Sequence, residues 1–419
     1  MATHYQVLYK PNIWLHTKND TTLISNSDIV SISIINNYDT MVFPIFRIRL
    51  YTDLSLYQMI MESPNELIIE GYLDGSLTVA DEVAEENQRI ADSASSISFH
   101  LNAFIETKNA PSSKFDQYRD GVKISTILNE TPKVPIELYG YENQLVTLLK
   151  RKCYSVYKNM SVQAVIEDIL TRIGFTGTLP NALTGLAIHQ QNLFPQILIP
   201  NLNLTQSITY LDTFYGLYEK GTNFFIDFMG GISTSNIINN VDCNAYEKIV
   251  PIKILGTDTN ETMGGLHKYS STNYTMTIMQ NNISILSETD LQRILNAPNI
   301  GAVNVSTGEI QIASLTQELY DGKYGLEPIP DVLHKYVNPY IATRKTARIK
   351  EKMTRVDISA VGFDITDLRV TTRFNLIFDS AIRGRDMSGL YRPVFINHVF
   401  SRTDTENFIA NTTMQLCSN

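Results

Sequence analysis

The chain has 419 residues, a formal net charge of −9, 43% hydrophobic and 18% charged residues. Its length exceeds one compact core and implies about two to four domains, and its 22 Tyr and 17 Phe exclude disorder and favour β-rich packing. The acidic balance excludes a general basic field for holding a polyanion, although a conduit that lets DNA pass without capturing it fits that charge.

Three cysteines, Cys153, Cys243 and Cys417, lie too far apart for a C-x-x-C pair, and the odd number suits free thiols in a reducing compartment. The stretch Met1–Gln6 lacks the basic and apolar regions of a signal peptide, and no run reaches the roughly 18 apolar residues of a spanning helix. The expectation is a protein made soluble and kept soluble, with no membrane insertion of its own.

Alternation places strands first at Val30, Ile32 and Ile34, then at Phe46, Ile48 and Leu50, around Leu67–Leu73, and at Ile97, Phe99, Leu101, Ala103 and Ile105. Asn36–Asp39 and Ser63–Asn65 read as turns. The acidic run Asp81–Asn87 reads as an exposed loop-like insertion, with a short helix as the alternative. Residues 1–125 are therefore assigned to a first β domain. The polar segment Asn109–Pro135, ending in Pro132-Lys-Val-Pro135, reads as a boundary.

Beyond it the period changes. Val162, Val165, Ile166, Ile169, Leu170 and Ile173 fall on one helical face, with Ser161 as cap and Gly174 as stop. A second helix follows Pro200, with Thr205 as cap and Ile208, Leu211 and Tyr215 on its apolar face, before Lys220-Gly221 and a strand at Phe224–Phe228. Residues 126–238 thus read as a mixed helix and strand domain.

Ile249, Ile252 and Leu255, then Tyr274, Met276 and Ile278, return the chain to extended structure. Glu288–Leu295 reads as a helix, and Asp331–Met353 as a longer one kinked at Pro339. Its basic end, from Arg344 to Arg355, reads first as a solvated face favoured by the macrodipole and second as a polyanion contact. Residues 283–353 form an inserted mixed domain in this reading. The last strands, at Val356–Ala360, Phe374–Phe378, Val394–Phe400 and Phe408–Leu416, form an antiparallel meander punctuated at Gly362-Phe-Asp364, Arg383–Asp386, Ser388-Gly389 and Arg402–Asn407. They join residues 239–282 in a second β domain, 239–282 plus 354–419.

Chemistry-bearing patterns are missing from the sequence. The seven histidines have no H-x-x-x-H or H-E-x-x-H spacing, so no metal is expected, and His398 reads as a packed strand residue. No G-x-x-x-x-G-K-[ST] loop or G-x-S-x-G elbow occurs, and Gly174–Gly177, Gly230-Gly231 and Gly264-Gly265 read as turns. The expectation is catalytic: none; cofactor-binding: none; metal: none. Two acids converging from distant positions would escape such a search.

Two stretches nonetheless resemble a known family. Asn203–Phe228, a capped helix, small turn and aromatic strand, and Phe363-Asp-Ile-Thr-Asp-Leu368 with Arg373–Phe378, Gly389–Phe400 and Phe408–Leu416, are similar to the baseplate hub proteins of contractile-tailed bacteriophages. That family includes late-control-type tail proteins and the hub part of type VI spike proteins. The resemblance implies a mainly β, α+β chain with two tube-type antiparallel β-barrel domains and mixed material between them. It also implies a homotrimer that closes a pseudo-sixfold ring, joins the tail tube protein to the central spike protein, and leaves a channel for DNA only in transit. Baseplate wedge proteins and the tape measure protein are the further partners expected, in a virion assembled in the host cytoplasm. A phage-derived injection device would use the same part. The alternatives are a cell-wall hydrolase associated with a tail, its two carboxylates hidden in the mixed region, or another structural tail protein.

Overall fold

A computed structural model describes residues 4–41, 43–62, 64, 66–79, 90–93, 96–105, 133–142, 150–173, 188, 190–218, 225, 248–255, 265–268, 274–279, 283–285, 300–303, 310–313, 354–378 and 387–418. In order, the strands are β1 (His4–His16), β2 (Thr21–Ile24), β3 (Ile29–Asn37), β4 (Ile45–Thr52), β5 (Leu67–Val79), β6 (Ile90–Ser93), β7 (Ile97–Ile105), β8 (Val134–Glu142), β9 (Lys152–Ser161) and β10 (Leu193–Asn203). They continue as β11 (Lys248–Leu255), β12 (Gly265–Lys268), β13 (Tyr274–Met279), β14 (Ile283–Ile285), β15 (Ile300–Val303), β16 (Ile310–Ala313), β17 (Val356–Val361), β18 (Thr372–Phe378), β19 (Gly389–Arg402) and β20 (Phe408–Cys417). Among the described residues the α-helices are α1 (Leu54–Glu62), α2 (Val162–Ile173) and α3 (Leu204–Phe214). The protein is mainly β.

Most strands belong to one sheet of 16 strands, and its pairings close on themselves twice. One circuit runs β3–β4–β8–β7–β5–β1–β20–β19 and returns to β3. The other runs β1–β12–β13–β11–β18–β19–β20 and returns to β1. Both circuits use β1, β19 and β20, because these long strands change partner part-way along one edge. β1 pairs with β5 from Tyr5 to His16, while its other edge meets β12 at His4 and Tyr5, β20 at Leu8 and Tyr9, and β2 from Ile13 onward. β19 meets β18 at Gly389–Tyr391 and β3 at Phe395–Ser401, with a register irregularity at Pro393/Phe395. A bulge of this kind bends a strand and increases its local twist, as a strand serving two neighbours in succession requires.

One buried cluster draws on the strands of both circuits, from Val7, Tyr9, Ile13 and Leu15 of β1 to Phe408, Ala410, Met414 and Leu416 of β20. A second, separate cluster is built from Cys153, Tyr157, Ile197 and Ile199 of the β9–β10 ribbon and from α2 and α3. On α2 the apolar spacing buries Val162, Val165, Ile166, Ile169 and Leu170, and the Ser161 hydroxyl accepts the Ala164 N–H at 3.2 Å.

Several elements depart from the periodicity. Asn203, not Thr205, caps α3: its side chain accepts the Gln206 N–H at 2.9 Å, and Gln206 accepts the Asn203 N–H at 3.1 Å. Two backbone N–H donors satisfied reciprocally make a capping box, which a threonine two residues further on does not form. On β11 the buried residues are Val250, Ile252 and Ile254, whereas Ile249 is exposed, since a strand alternates strictly by two. The sheet is not wholly antiparallel, because β11 runs parallel to both β13 and β18. Val134–Glu142 is a strand of the first circuit, so that circuit reaches past position 125. The expectations for Asp81–Asn87, Gly174–Gly177, Glu288–Leu295, the helix at 331–353 and the turn at 383–386 lie outside the described residues.

Candidate assembly surfaces

The seam where the circuits share strands is held by a turn that only glycine can open. Gly362 follows β17 at φ +75°, and a Cβ there would sit 2.9 Å from Gln6 Cβ of β1. Its carbonyl accepts the Val7 N–H at 2.8 Å and its own N–H donates to Ala410 of β20 at 3.0 Å, so this one residue ties β1 to β20. Phe363, Ile365, Leu368 and Val370 then plunge into the main core. The buried Tyr9 hydroxyl accepts the Ile365 N–H at 2.9 Å, and its ring meets Phe400 edge-on at 5.2 Å.

Three cationic or basic side chains are buried near this seam. Arg373 donates to the Val370 carbonyl at 2.7 Å and to that of Thr372 at 3.0 Å. Arg392 lies 3.5 Å from Asp39. His398 of β19 is fully buried between Ile34 of β3 and Thr412 of β20, with Nδ1 2.9 Å from Thr412 Oγ1. Burial pushes its pKa down to about 3, so the imidazole is neutral. The packed role read for this residue from sequence holds.

Three outward faces carry functional groups. Across β4, β8 and β7, Arg47, Tyr139 and Phe104 stand in register; the guanidinium lies over the Tyr139 ring at 5.6 Å, and the Phe104 ring stacks with it at 5.6 Å. Burial alone would raise the Glu137 pKa. Hydrogen bonds from Arg47, Tyr139 and Arg49, together with the Arg47 charge, outweigh it and hold this carboxyl at about 2. It is a fixed anion bridging two strands, not a proton donor near neutral pH. On the β1–β5–β7 face, His16 Nε2 lies 3.1 Å and His100 Nδ1 3.7 Å from Glu70 Oε2. The third face is the outer side of the β9–β10 ribbon, where Tyr154, Val156 and Leu198 are exposed. Among the described residues there is no helix long and apolar enough to cross a membrane.

The sequence reading missed β1 and the start of β8. Val7, Tyr9, Ile13 and Leu15 share one parity and are all buried, a signal interrupted by Lys10 and Pro11. Val134, Ile136 and Leu138 repeat it, masked by the prolines around them.

Residues 7–416 match the family of the bacteriophage PBS1 gene 109 protein. The chain belongs to that family. No curated protein matches it. Among solved structures, this family member is similar to the 43 kDa tail protein of prophage MuSo2 from Shewanella oneidensis, with 10% identity over 96% of each chain and a TM-score of 0.47. It is also similar to the tail protein from Neisseria meningitidis MC58, with 10% identity over 98% of this chain and 97% of that one and a TM-score of 0.46. A third is the E. coli c3393 protein, a type VI secretion component described as similar to T4 tail proteins gp27 and gp5, with 10% identity over 97% and 76% and a TM-score of 0.38. The resemblance read from residues 203–228 and 363–416 is likewise to bacteriophage proteins.

Proposed function

We propose that this bacteriophage-family protein is a structural tail protein, the central hub of a contractile tail baseplate. In this reading three copies close a ring that presents six β units, two per chain, to a hexameric tail tube on one side and a trimeric spike on the other. DNA passes through the opening. Each chain would supply two tube-type domains, residues 1–125 extended by β8 and residues 239–282 with 354–419 extended by β14, with the rest of the mixed residues 126–238 and 283–353 outside them.

The observation that carries the reading is the pair of closed strand circuits fused through β1, β19 and β20. Two β units welded by common strands cannot swivel, and a rigid two-unit protomer is what converts threefold into pseudo-sixfold symmetry. Membership in a bacteriophage family over residues 7–416 supports it, as does the acidic balance, which suits a conduit that must release its cargo. Closure also buries sheet edges that would otherwise template aggregation.

The test is absolute mass by light scattering, on the protein alone and with the spike protein that accompanies it in assembly. A species near three times 47.3 kDa, about 142 kDa, is expected. A strict monomer under both conditions overturns the hub.

A further inference from the structure

We propose that the outer face of the β9–β10 ribbon is the surface by which one copy of this chain contacts an acidic surface of the next. This rests on the ring reading and names the contact that closes it. The ribbon is antiparallel, with Val156 opposite Leu198 and Tyr157 opposite Ile197, so alternate residues face opposite sides. Cys153, Tyr157, Ile197 and Ile199 face inward and are buried on α2 and α3. Tyr154, Val156 and Leu198 face outward and are 71%, 48% and 40% exposed.

Neighbouring apolar side chains left in water on an ordered ribbon mark a contact surface more than scattered ones do. The inner side is pinned. The Tyr157 hydroxyl donates to Asp168 at 2.8 Å, and Arg172 reaches both Asp168 at 2.8 Å and Ser155 at 2.8 Å.

Charge selects the occupant. Lys152 and Lys158 share the parity of Tyr154 and Val156 and are exposed, so the apolar patch is bracketed by ammonium groups on its own strand. Residues 150–218 carry Lys150, Arg151, Lys152, Lys158 and Arg172 against Glu167, Asp168 and Asp212, and are net positive within a chain of net charge −9. The rest of each copy is therefore more acidic than the whole. A twofold contact of this face with itself would set lysines against lysines. Pairing with an acidic surface elsewhere on the next copy is heterologous, the type of contact that makes a ring where the rotation between copies closes.

The experiment compares the wild-type protein with Val156→Asp/Leu198→Asp by light scattering at matched concentration, with thermal unfolding as the folding control. The wild type is expected near three times the monomer mass and the variant near the 47.3 kDa monomer, with its unfolding transition retained. A folded variant that keeps the wild-type mass overturns the contact and leaves the ring intact. A wild type that stays at monomer mass both alone and with the spike protein overturns both. If the variant loses its folding transition, Lys152→Glu/Lys158→Glu decides on charge alone: at least a tenfold rise in the concentration needed for association supports the contact, and no change overturns it. Unaltered self-association with lost binding to the spike protein would give this face to that partner and overturn the proposal.

Discussion

His398 sits where three strands meet, and its protonation cannot be accommodated by water. Its folded pKa, about 3, lies below the usual 6.5, so the unfolded chain takes up a proton first as pH falls. Stability contributed by the neutral ring is thus complete above pH 6.5 and is lost progressively between 6.5 and 3, at about 1.4 kcal/mol per pH unit. Glu137 acts in a lower window: with a carboxyl held at about 2 instead of 4.5, its contribution is present above 4.5 and is lost as pH falls toward 2. Urea unfolding between pH 4.5 and 6.5 therefore separates the histidine from Glu137. The expected outcome is a steep acid-side loss in the wild type and a slope flatter by about 1.4 kcal/mol per unit in His398→Gln. Equal slopes would mean that the ring is hydrated in the folded protein.

At the scale of elements, β1 is the strand on which both circuits depend, and its tightest point is its crossing with β5. Gly71 pairs with Ile13, and a Cβ there would stand 2.2 Å from the Asn12 carbonyl oxygen and 3.0 Å from Ile13 Cα. Both neighbours are backbone and cannot step aside by rotating a side chain. Gly71→Ala should cost about 1–3 kcal/mol, read as a lower denaturant midpoint with an unchanged slope. The strands β3, β4, β7, β17, β18, β19 and β20 were legible because each shows a plain alternation of period two. β1 and β8 were not, since Pro11 and Pro135 interrupt the pattern with residues that usually signal loops. Neither proline blocks its strand, for both stand within paired register, at Leu73 and Tyr51. The phase of β11 was misread because Ile249, Val250, Ile252 and Ile254 are all apolar; burial on one side is decided by β13 and β18, which are remote in sequence. The ribbon face was legible only in part. Its alternation is visible, but which side is covered depends on the packing of α2 and α3.

For the whole molecule, the two buried clusters set the unfolding behaviour. The circuits share strands and one core, so neither can open while the other stays closed, and they should melt as one unit. The β9–β10 ribbon with α2 and α3 has its own core and no strand in the main sheet, which allows a second transition. Large-to-small changes distinguish the two, because each costs about 2–5 kcal/mol within the unit that holds it. Ile166→Ala, in the small cluster, should lower one calorimetric transition and leave amide protection in β19 and β20 unchanged. Met414→Ala, in the large cluster, should lower the other and collapse protection in β1, β3 and β19 together. If either substitution moves both transitions by the same amount, the clusters are energetically one. A contact made through the ribbon would then be coupled rigidly to the main sheet. Separate transitions would instead make the ribbon a semi-independent arm, able to seat against the next copy before the main sheet is locked in place.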